Sequence, residues 1–309
     1  MTPEVHGHRG ARGLWPENTL AGFARALTLG VSALELDCGV TRDGVVVVTH
    51  DPQLNPDLTR DAHGRFLTTP GPPIVGLTYA ELQSYDVGRL RPGSDYAARF
   101  PAQQPIDGER IPSLRDVLSL VRTRGHGRVR LDIEVKTFPE RPQLAAAPEA
   151  FAAALQGDFG ATGTAAMVCV MAFDWGVLAA VQRRMPGLAT VALTEEQAGE
   201  DTVRVGAPEP SPWLGGLDPR SFDNSVVRLV KATGATTWGP DFKDLDAARI
   251  AAAHALGLRV IPWTVNAETD MQRMLELGVD GMTSDRPDLL RAFLAGRGLS
   301  LPAPIAETA

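Results

Sequence analysis

The sequence contains little cysteine, little lysine and no long hydrophobic run. Its two cysteines, Cys38 and Cys169, each lie in an apolar segment, which is typical of buried thiols and excludes a disulfide scaffold or a cysteine-based zinc site. The longest charge-free apolar stretch, Phe159 to Phe173, is shorter than the roughly 20 residues that a membrane-spanning helix requires. With 44% hydrophobic and 22% charged residues, the composition is that of a globular protein and excludes a disordered chain or a coiled coil.

Basic residues are also too few for a nucleic-acid-binding protein. Lysine and arginine together number 30 against 37 acidic residues, which gives a formal charge of −7 with no basic stripe. We therefore expect no nucleic-acid partner. The N-terminus, MTPEVHGHRG, lacks a basic segment followed by an apolar one, so we expect a cytoplasmic protein. A periplasmic or secreted location would require that a precursor segment had been removed, and the sequence leaves the oligomeric state open.

Short apolar runs alternate with helical periodicity along the whole chain, as in an α/β protein with a parallel sheet. Strands are expected near 4–9, 33–40, 129–136, 165–173, 188–193, 235–238, 259–265 and 280–284. Helices are expected near 18–29, 113–123, 149–156, 174–184, 225–233, 246–256, 268–277 and 287–295. Eight strands alternating with eight helices favour a TIM (β/α)8 barrel over an open sheet, and no GxGxxG or Walker loop argues otherwise.

Two stretches are too long to be ordinary barrel connections. Residues 51–110 follow an extra apolar run, Val45 to Val48, and are rich in Pro, Gly and Asp. They are expected to form a subdomain inserted after the second strand region of a single domain, residues 1–309. Residues 195–224 are expected to form a long loop, and both stretches would lie over the top of the barrel.

Polar residues that end apolar strands are the candidates for chemistry, because TIM barrels carry their active sites at the carboxyl ends of the strands. Side chains alternate along a strand, so Glu35 and Asp37 share one face, as do Glu134 and Lys136. Three carboxylates about 5 Å apart repel one another by roughly 3 kcal/mol per pair at an effective dielectric near 20. A single lysine does not offset this repulsion. Oxygen ligands alone favour one hard divalent cation, Ca²⁺, Mg²⁺ or Mn²⁺.

Two histidines end separate strands beside these carboxylates. His8 and His50 titrate near neutrality, so one can act as a general base and the other as a general acid. Arg9 and Lys136 add fixed positive charge that matches phosphate oxygens. Carboxylates, histidines and cations together predict a metal-assisted site for an anionic substrate.

The ordered segments HRGARGLWPENTLAGFARAL, ELDCGVTRDGVVVVTHD, EVK, WTVN and GVDGMTSDRP resemble the glycerophosphodiester phosphodiesterase family over nearly the whole chain. The resemblance implies a TIM barrel with an insertion after the second strand region. It implies that a divalent metal is held by Glu35, Asp37 and Glu134, that His8 and His50 are the acid and base, and that Arg9 and Lys136 bind phosphate.

The resemblance also implies supporting roles for four further residues. Glu17 orients the groups around the metal, and Asn18 or Thr19 caps the first helix. Phe173 and Trp263 form an apolar wall beside the glycerol, although core packing explains Phe173 equally well. Ala172 departs from the family, which often has serine there.

The implied reaction is hydrolysis of glycerophosphodiesters to sn-glycerol 3-phosphate and an alcohol such as choline or ethanolamine. Either the neighbouring glycerol hydroxyl, through a cyclic phosphate, or water is the nucleophile. Three alternatives remain open at this point. They are a lysophospholipase D acting on lysophospholipids, an aldolase-type barrel in which Lys136 forms a Schiff base, and a phosphate-binding barrel without turnover.

Overall fold

The computed structural model describes residues 2–306, and its central element is a barrel of parallel strands. In this part of the chain the strands are β1 (Glu4–Gly7), β2 (Ala33–Val40), β3 (Val46–Val48), β4 (Arg130–Val135), β5 (Val168–Ala172), β6 (Thr190–Thr194), β7 (Thr237–Pro240), β8 (Arg259–Val260) and β9 (Gly281–Ser284). The strand order is β8-β7-β6-β5-β4-β2-β1-β9, with every neighbouring pair parallel, and β3 pairs with β2 in antiparallel orientation.

Backbone hydrogen bonds bridge the gap between β8 and β9. The amide of Asp280 donates to the carbonyl of Val260 over 2.9 Å, and the amide of Thr283 donates to the carbonyl of Pro262 over 3.0 Å. In return, the amide of Val265 donates to the carbonyl of Thr283 over 2.8 Å. The eight parallel strands therefore form a nearly closed barrel, which confirms the predicted TIM-barrel class.

Helices surround the barrel and connect its strands. Between residues 2 and 306 they are α1 (Leu20–Leu27), α2 (Tyr79–Leu82), α3 (Asp95–Arg99), α4 (Leu114–Gly125), α5 (Pro148–Thr162), α6 (Trp175–Arg184), α7 (Val226–Ala232), α8 (Ala247–Ala255), α9 (Glu268–Leu277) and α10 (Pro287–Ala295). Several begin at a side chain that accepts a backbone N–H of the first turn: Thr19, Ser113, Asp174, Ser225 and Asp246. No described helix is long and apolar enough to cross a membrane.

The main hydrophobic core lies between the outer face of the barrel and the helices. Leu36, Cys38 and Val135 are buried there, as the alternation of side chains along the strands predicts. A smaller apolar cluster inside the barrel contains Met171 and Leu193. The inward-facing positions above this cluster are therefore free to carry polar side chains.

Two predicted strands are at least four residues shorter in the structure. The predicted strand 165–173 is reduced to β5 because a 3-10 turn, Ala165–Met167, precedes it. The predicted strand 259–265 is reduced to β8 because neither Pro240 of β7 nor Pro262 has an amide hydrogen to continue the ladder, and pairing resumes only as a single bridge between Asp241 and Trp263.

The two long connections have little regular structure. Residues 51–110 contain a 3-10 turn, Ile74–Gly76, followed by the short helices α2 and α3. Their apolar side chains form a separate small core that includes Leu54 and Leu82 together with Val47 of β3. Residues 195–224 contain two 3-10 turns and no longer element. The domain boundaries assigned from the sequence stay a prediction.

Candidate active site

Three acidic side chains meet at the carboxyl end of the barrel. Glu35 and Asp37 lie on β2 and Glu134 lies on β4, and the strand register places Asp37 opposite Glu134. All three residues are buried. One carboxylate oxygen from each lies within 4.8 Å of the other two. The structure therefore brings together the three predicted metal ligands.

Two cations contact these carboxylates. The Nζ atom of Lys136 lies 3.0 Å from Oδ1 of Asp37 and also contacts the carboxylate of Glu134. The Nε atom of Arg9 lies 3.2 Å from Oδ2 of Asp37. Burial acts to raise the pKa of Asp37, but Lys136 and Arg9 outweigh it and hold that pKa well below its usual range.

Lys136 itself remains an ammonium ion. Burial acts to lower its pKa, but the carboxylates of Asp37 and Glu134 raise the pKa above its ordinary value. A lysine that forms a Schiff base needs the opposite shift, because only the neutral amine is nucleophilic. This observation argues against the aldolase alternative.

Glu35 carries an unsatisfied oxygen. Its Oε2 atom accepts the backbone amide of Arg9 over 2.8 Å, whereas its buried Oε1 has no hydrogen-bond partner among residues 2–306. Burial, together with the charges of Asp37 and Glu134, raises the pKa of Glu35 well above its usual range. A buried carboxylate oxygen without a partner, beside two more carboxylates, is what a hard dication satisfies. These residues therefore fit Ca²⁺, Mg²⁺ or Mn²⁺.

His8 lies one residue beyond β1, with its two ring nitrogens in different environments. Nδ1 lies 2.6 Å from Oδ1 of Asp285, and Nε2 lies 3.8 Å from Oε2 of Glu35. Burial and then the guanidinium of Arg12 lower the pKa of His8 to about 4, although Asp285 opposes them. At pH 7 the ring is neutral, and Asp285 favours the tautomer with its hydrogen on Nδ1. The lone pair of Nε2 then faces the acidic cluster.

His50, which lines the same cavity, repeats this arrangement. Its Nδ1 lies 2.7 Å from Oδ1 of Asp51, and Asn55 donates to Oδ2 of the same aspartate over 2.6 Å. Burial, followed by the positive charges of Lys136 and Arg9, lowers the pKa of His50. The structure thus supplies two histidines, each with an aspartate on Nδ1.

A tight turn after β1 brings residues 16–19, with the sequence PENT, next to the site. The guanidinium of Arg9 donates to Oε1 of Glu17 over 2.7 Å, so Glu17 orients Arg9. Asn18 has a φ of +55° and donates from Nδ2 to Oδ2 of Asp37 over 3.0 Å. Thr19, and not Asn18, caps the first helix by accepting the amide of Gly22. The structure therefore selects Thr19 from the two capping candidates.

An aromatic corner borders the cavity above these groups. The rings of Phe173 and Trp263 meet edge to face with their centroids 5.4 Å apart. The indole Nε1 of Trp263 donates to the carbonyl of Gly239 over 2.9 Å, which fixes the ring. Both rings line a cavity of about 590 Å³ that also reaches His8, His50 and Lys136. Their position next to Lys136 agrees with an apolar wall.

Three residues of the site, Arg12, Tyr96 and Asp285, were not singled out from the sequence. Asp285 accepts hydrogen bonds from Nε of Arg12 over 2.5 Å and from Nδ2 of Asn266 over 2.7 Å, in addition to its contact with His8. Tyr96, from the inserted residues 51–110, donates its hydroxyl to Glu17. Asp285 follows β9 and therefore obeys the strand-end rule, whereas no sequence pattern marks Tyr96.

A parallel barrel that places three carboxylates, two histidines and two cations in one cavity has the groups that phosphate-ester chemistry requires. The family model described as glycerophosphoryl diester phosphodiesterase family matches residues 8–289. The chain therefore belongs to that family, which confirms the resemblance, and it is an enzyme of that class.

Individual relatives agree with this assignment. A glycerophosphodiester phosphodiesterase of Bacillus subtilis is 28% identical over 293 residues, covering 94% of this chain and 85% of that protein. A candidate glycerophosphoryl diester phosphodiesterase of Silicibacter pomeroyi, known from its crystal structure, is 37% identical with a TM-score of 0.86, covering 97% of this chain and 95% of that one. An Oleispira antarctica phosphodiesterase in complex with the product sn-glycerol-3-phosphate shares the fold at 20% identity, with a TM-score of 0.69 and coverage of 95% and 97%.

Proposed function

We propose that this protein hydrolyses glycerophosphodiesters to sn-glycerol 3-phosphate and an alcohol. The observation that carries the proposal is the cluster of Glu35, Asp37 and Glu134, with its unsatisfied oxygen, facing His8 in the main cavity. Family membership and the product bound by the Oleispira enzyme support the same reaction.

The carboxylates of Glu35, Asp37 and Glu134 would hold one Ca²⁺, Mg²⁺ or Mn²⁺, which when bound polarises a phosphoryl oxygen. Arg9 and Lys136 bind the other phosphate oxygens and stabilise the charge that develops on them. Both cations are already oriented, since Glu17 holds Arg9 and Asp37 holds Lys136. The positive charge therefore needs no rearrangement when the substrate arrives.

His8 and His50 move the protons. One neutral histidine accepts the proton of the attacking hydroxyl, from either the glycerol or water, on its Nε2, and the other, in its protonated form, donates the proton on its Nε2 to the departing alcohol oxygen. Asp285 and Asp51 hold the two rings through Nδ1, so that Nε2 is the atom available to the substrate. Phe173 and Trp263 pack against the glycerol carbons.

The test is release of glycerol 3-phosphate from glycerophosphocholine, with and without a chelator, in the unmodified protein and in His8→Ala, His50→Ala and His63→Ala. We expect the first two substitutions to reduce the rate by about 10² to 10⁴, because an acid or base is lost. His63 is an exposed histidine outside the cavity, so His63→Ala is the matched control.

Near-normal rates in both His8→Ala and His50→Ala would remove these residues from the mechanism. Activity that persists in the presence of the chelator would exclude a role for the cation. If lysophosphatidylcholine is hydrolysed and glycerophosphocholine is not, the substrate is a lysophospholipid. No turnover with Ca²⁺, Mg²⁺ or Mn²⁺ would favour a phosphate-binding barrel.

A further inference from the structure

The inserted residues 51–110 are attached to the turn that follows β1. The side-chain amide of Gln103 donates to the carbonyl of Arg12 over 2.7 Å, and the backbone amide of Gln104 donates to the carbonyl of Leu14 over 2.8 Å. Tyr96, on the short helix α3, lines the main cavity from the same side. The insertion therefore supplies a side chain to the cavity next to the arginine that is proposed to bind phosphate.

Contacts within the insertion and with the turn fix the ring of Tyr96. Its centroid lies 5.2 Å from that of Phe100, and the guanidinium of Arg99 lies 5.6 Å from the centroids of both rings. The guanidinium of Arg12 lies 4.8 Å from the centroid of Phe100. Aromatic pairs and cation–π contacts of this kind hold a ring in one orientation, so the hydroxyl of Tyr96 has a defined position.

The hydroxyl of Tyr96 is a donor to Glu17. Nη1 of Arg12 donates to the hydroxyl oxygen over 3.4 Å. Burial and then the charge of Glu17 raise the pKa of Tyr96, so the hydroxyl keeps its hydrogen. Burial acts to raise the pKa of Glu17, but Arg9 and Arg12 outweigh it and lower that pKa, so Glu17 is a carboxylate. The hydrogen of the hydroxyl is therefore donated to Oε2 of Glu17.

Glu17 links Tyr96 to Arg9. Its Oε2 accepts the hydroxyl of Tyr96, and its Oε1 accepts Nη1 of Arg9 over 2.7 Å. Arg9 follows β1 with a φ of +50°, outside the strand ladder, so the direction of its side chain depends on such partners. Its Nη2 donates to no residue between 2 and 306 and is available to a phosphate oxygen. The hydroxyl of Tyr96 thus holds the carboxylate that orients this donor.

We propose that Tyr96 is a positioning residue, which holds Glu17 so that the guanidinium of Arg9 points at the phosphate. This inference rests on the proposed function, in which Arg9 binds a phosphate oxygen. Without the hydroxyl, the carboxylate of Glu17 is free to rotate, and Arg9 can turn toward Asp37, whose Oδ2 already lies 3.2 Å from its Nε. The phosphate then loses a donor that was oriented in advance.

Tyr96→Phe tests this role, because it removes the hydroxyl and keeps the ring. We expect kcat/KM for glycerophosphocholine to fall about tenfold, mainly through a higher KM, since loss of a supporting hydrogen bond behind a binding group commonly has an effect of this size. A purely structural role would lower the amount of active protein, and with it the apparent kcat, but would leave KM unchanged.

Tyr79→Phe is the matched control. Tyr79 also belongs to the inserted residues and donates its hydroxyl to a carboxylate, that of Asp116 over 3.4 Å, but it lies outside the main cavity. This substitution should leave KM unchanged. An equal rise in KM in Tyr79→Phe and Tyr96→Phe would overturn the assignment of Tyr96.

Binding of the product separates this inference from the proposed function. Calorimetric titration with sn-glycerol 3-phosphate in the presence of Mg²⁺ should give a Kd about tenfold higher in Tyr96→Phe than in the unmodified protein. Equal affinities would refute the positioning role whatever the turnover. If no glycerophosphodiester is hydrolysed but Tyr96→Phe still weakens product binding, the proposed function fails and the positioning role stands.

A double-mutant cycle tests whether Tyr96 acts through Glu17. In a Glu17→Ala protein the link to Arg9 is already lost, so adding Tyr96→Phe should change the Kd of sn-glycerol 3-phosphate by less than about twofold. An unreduced tenfold effect in this background would show that Tyr96 contacts the ligand itself, and it would overturn the positioning role.

Discussion

At the residue scale, the two histidines of the site share one design. Each uses Nδ1 to contact an aspartate, Asp285 for His8 and Asp51 for His50, and each therefore presents Nε2 to the cavity. Arg12 also contacts Asp285 and lowers the pKa of His8. A carboxylate that sets the tautomer of a histidine is a positioning group, because it does not itself touch the substrate.

Asp285→Asn tests this positioning role. The amide can donate to Nδ1 and so place the ring hydrogen on Nε2, which should lower kcat by about 10² with little change in KM. Loss of the negative charge should also lower the pKa of His8 and move the acidic limb of the pH–rate profile toward lower pH. The profile and the separate kcat and KM values are the measurements.

Asp280→Asn is the matched control, because Asp280 likewise contacts a histidine, His254 at 3.0 Å, but lies outside the cavity. An Asp285→Asn protein with an unchanged kcat and pH profile would show that Asp285 has only a structural role.

Much of the site could be predicted residue by residue, and the exceptions have physical reasons. Glu35, Asp37 and Glu134 come together because alternation and strand order determine which side chains meet at a barrel end. Asp285 lies just past its strand, where the same rule would have found it. Tyr96 could not be found this way, because irregular segments have no periodicity from which a contact with Glu17 follows.

At the element scale, an ion-pair network joins strands at the amino end of the barrel. His6 on β1 lies between two carboxylates, with Nδ1 2.7 Å from Asp132 of β4 and Nε2 2.9 Å from Glu4. Arg130 of β4 and Arg259 of β8 also contact Glu4 of β1. Burial acts to lower the pKa of His6, but Asp132 and Glu4 raise it above the ordinary value of 6.5.

This raised pKa predicts a pH-dependent stability. The folded protein holds a proton on His6 that the unfolded chain releases near pH 6.5, so the contribution is complete below that pH. It is lost as the pH rises through the higher folded-state pKa. His6→Gln should cost roughly 3 kcal/mol at pH 6, because it removes the partner of buried carboxylates. The variant should also remove this alkaline decline in the free energy of unfolding.

Urea denaturation between pH 6 and pH 9 measures both effects, with the partly exposed His254→Gln as the control. Parallel pH dependences in the unmodified protein and in His6→Gln would contradict a charged His6.

Element boundaries were less predictable than element types. Local amphipathic patterns identified the barrel helices, but α2 and α3 are only four and five residues long, too short to display a period. Pro262 indicates that β8 ends early, but the apolar residues around it predicted a longer strand.

At the scale of the whole molecule, the alternation of strands and helices was sufficient to predict the barrel, whereas the antiparallel pairing of β3 was not. A three-residue strand has too few side chains to specify its partner from sequence. The path of residues 51–110 was equally unpredictable, because contacts with the site, such as that of Tyr96, depend on tertiary packing.

Binding of a dication should stabilise the whole barrel. A ligand at about 100 times its Kd adds about 2.7 kcal/mol to the free energy of unfolding, which for a domain of this size corresponds to a rise in Tm of about 5 °C. We expect this rise with Ca²⁺, Mg²⁺ or Mn²⁺ in differential scanning calorimetry. Glu35→Gln should abolish it, whereas Glu209→Gln should retain it. An equal rise in Glu35→Gln would place the ion elsewhere.

The hairpin of β2 and β3 has an evolutionary consequence. His50 lies two residues beyond the end of β3, which pairs with β2, whereas residues 51–110 leave the barrel only after this histidine. The length and composition of the inserted residues can therefore change without displacing His50, the proposed proton-transfer group. A change at Tyr96 would alter the site itself, because the hydroxyl of Tyr96 donates a hydrogen bond to Glu17.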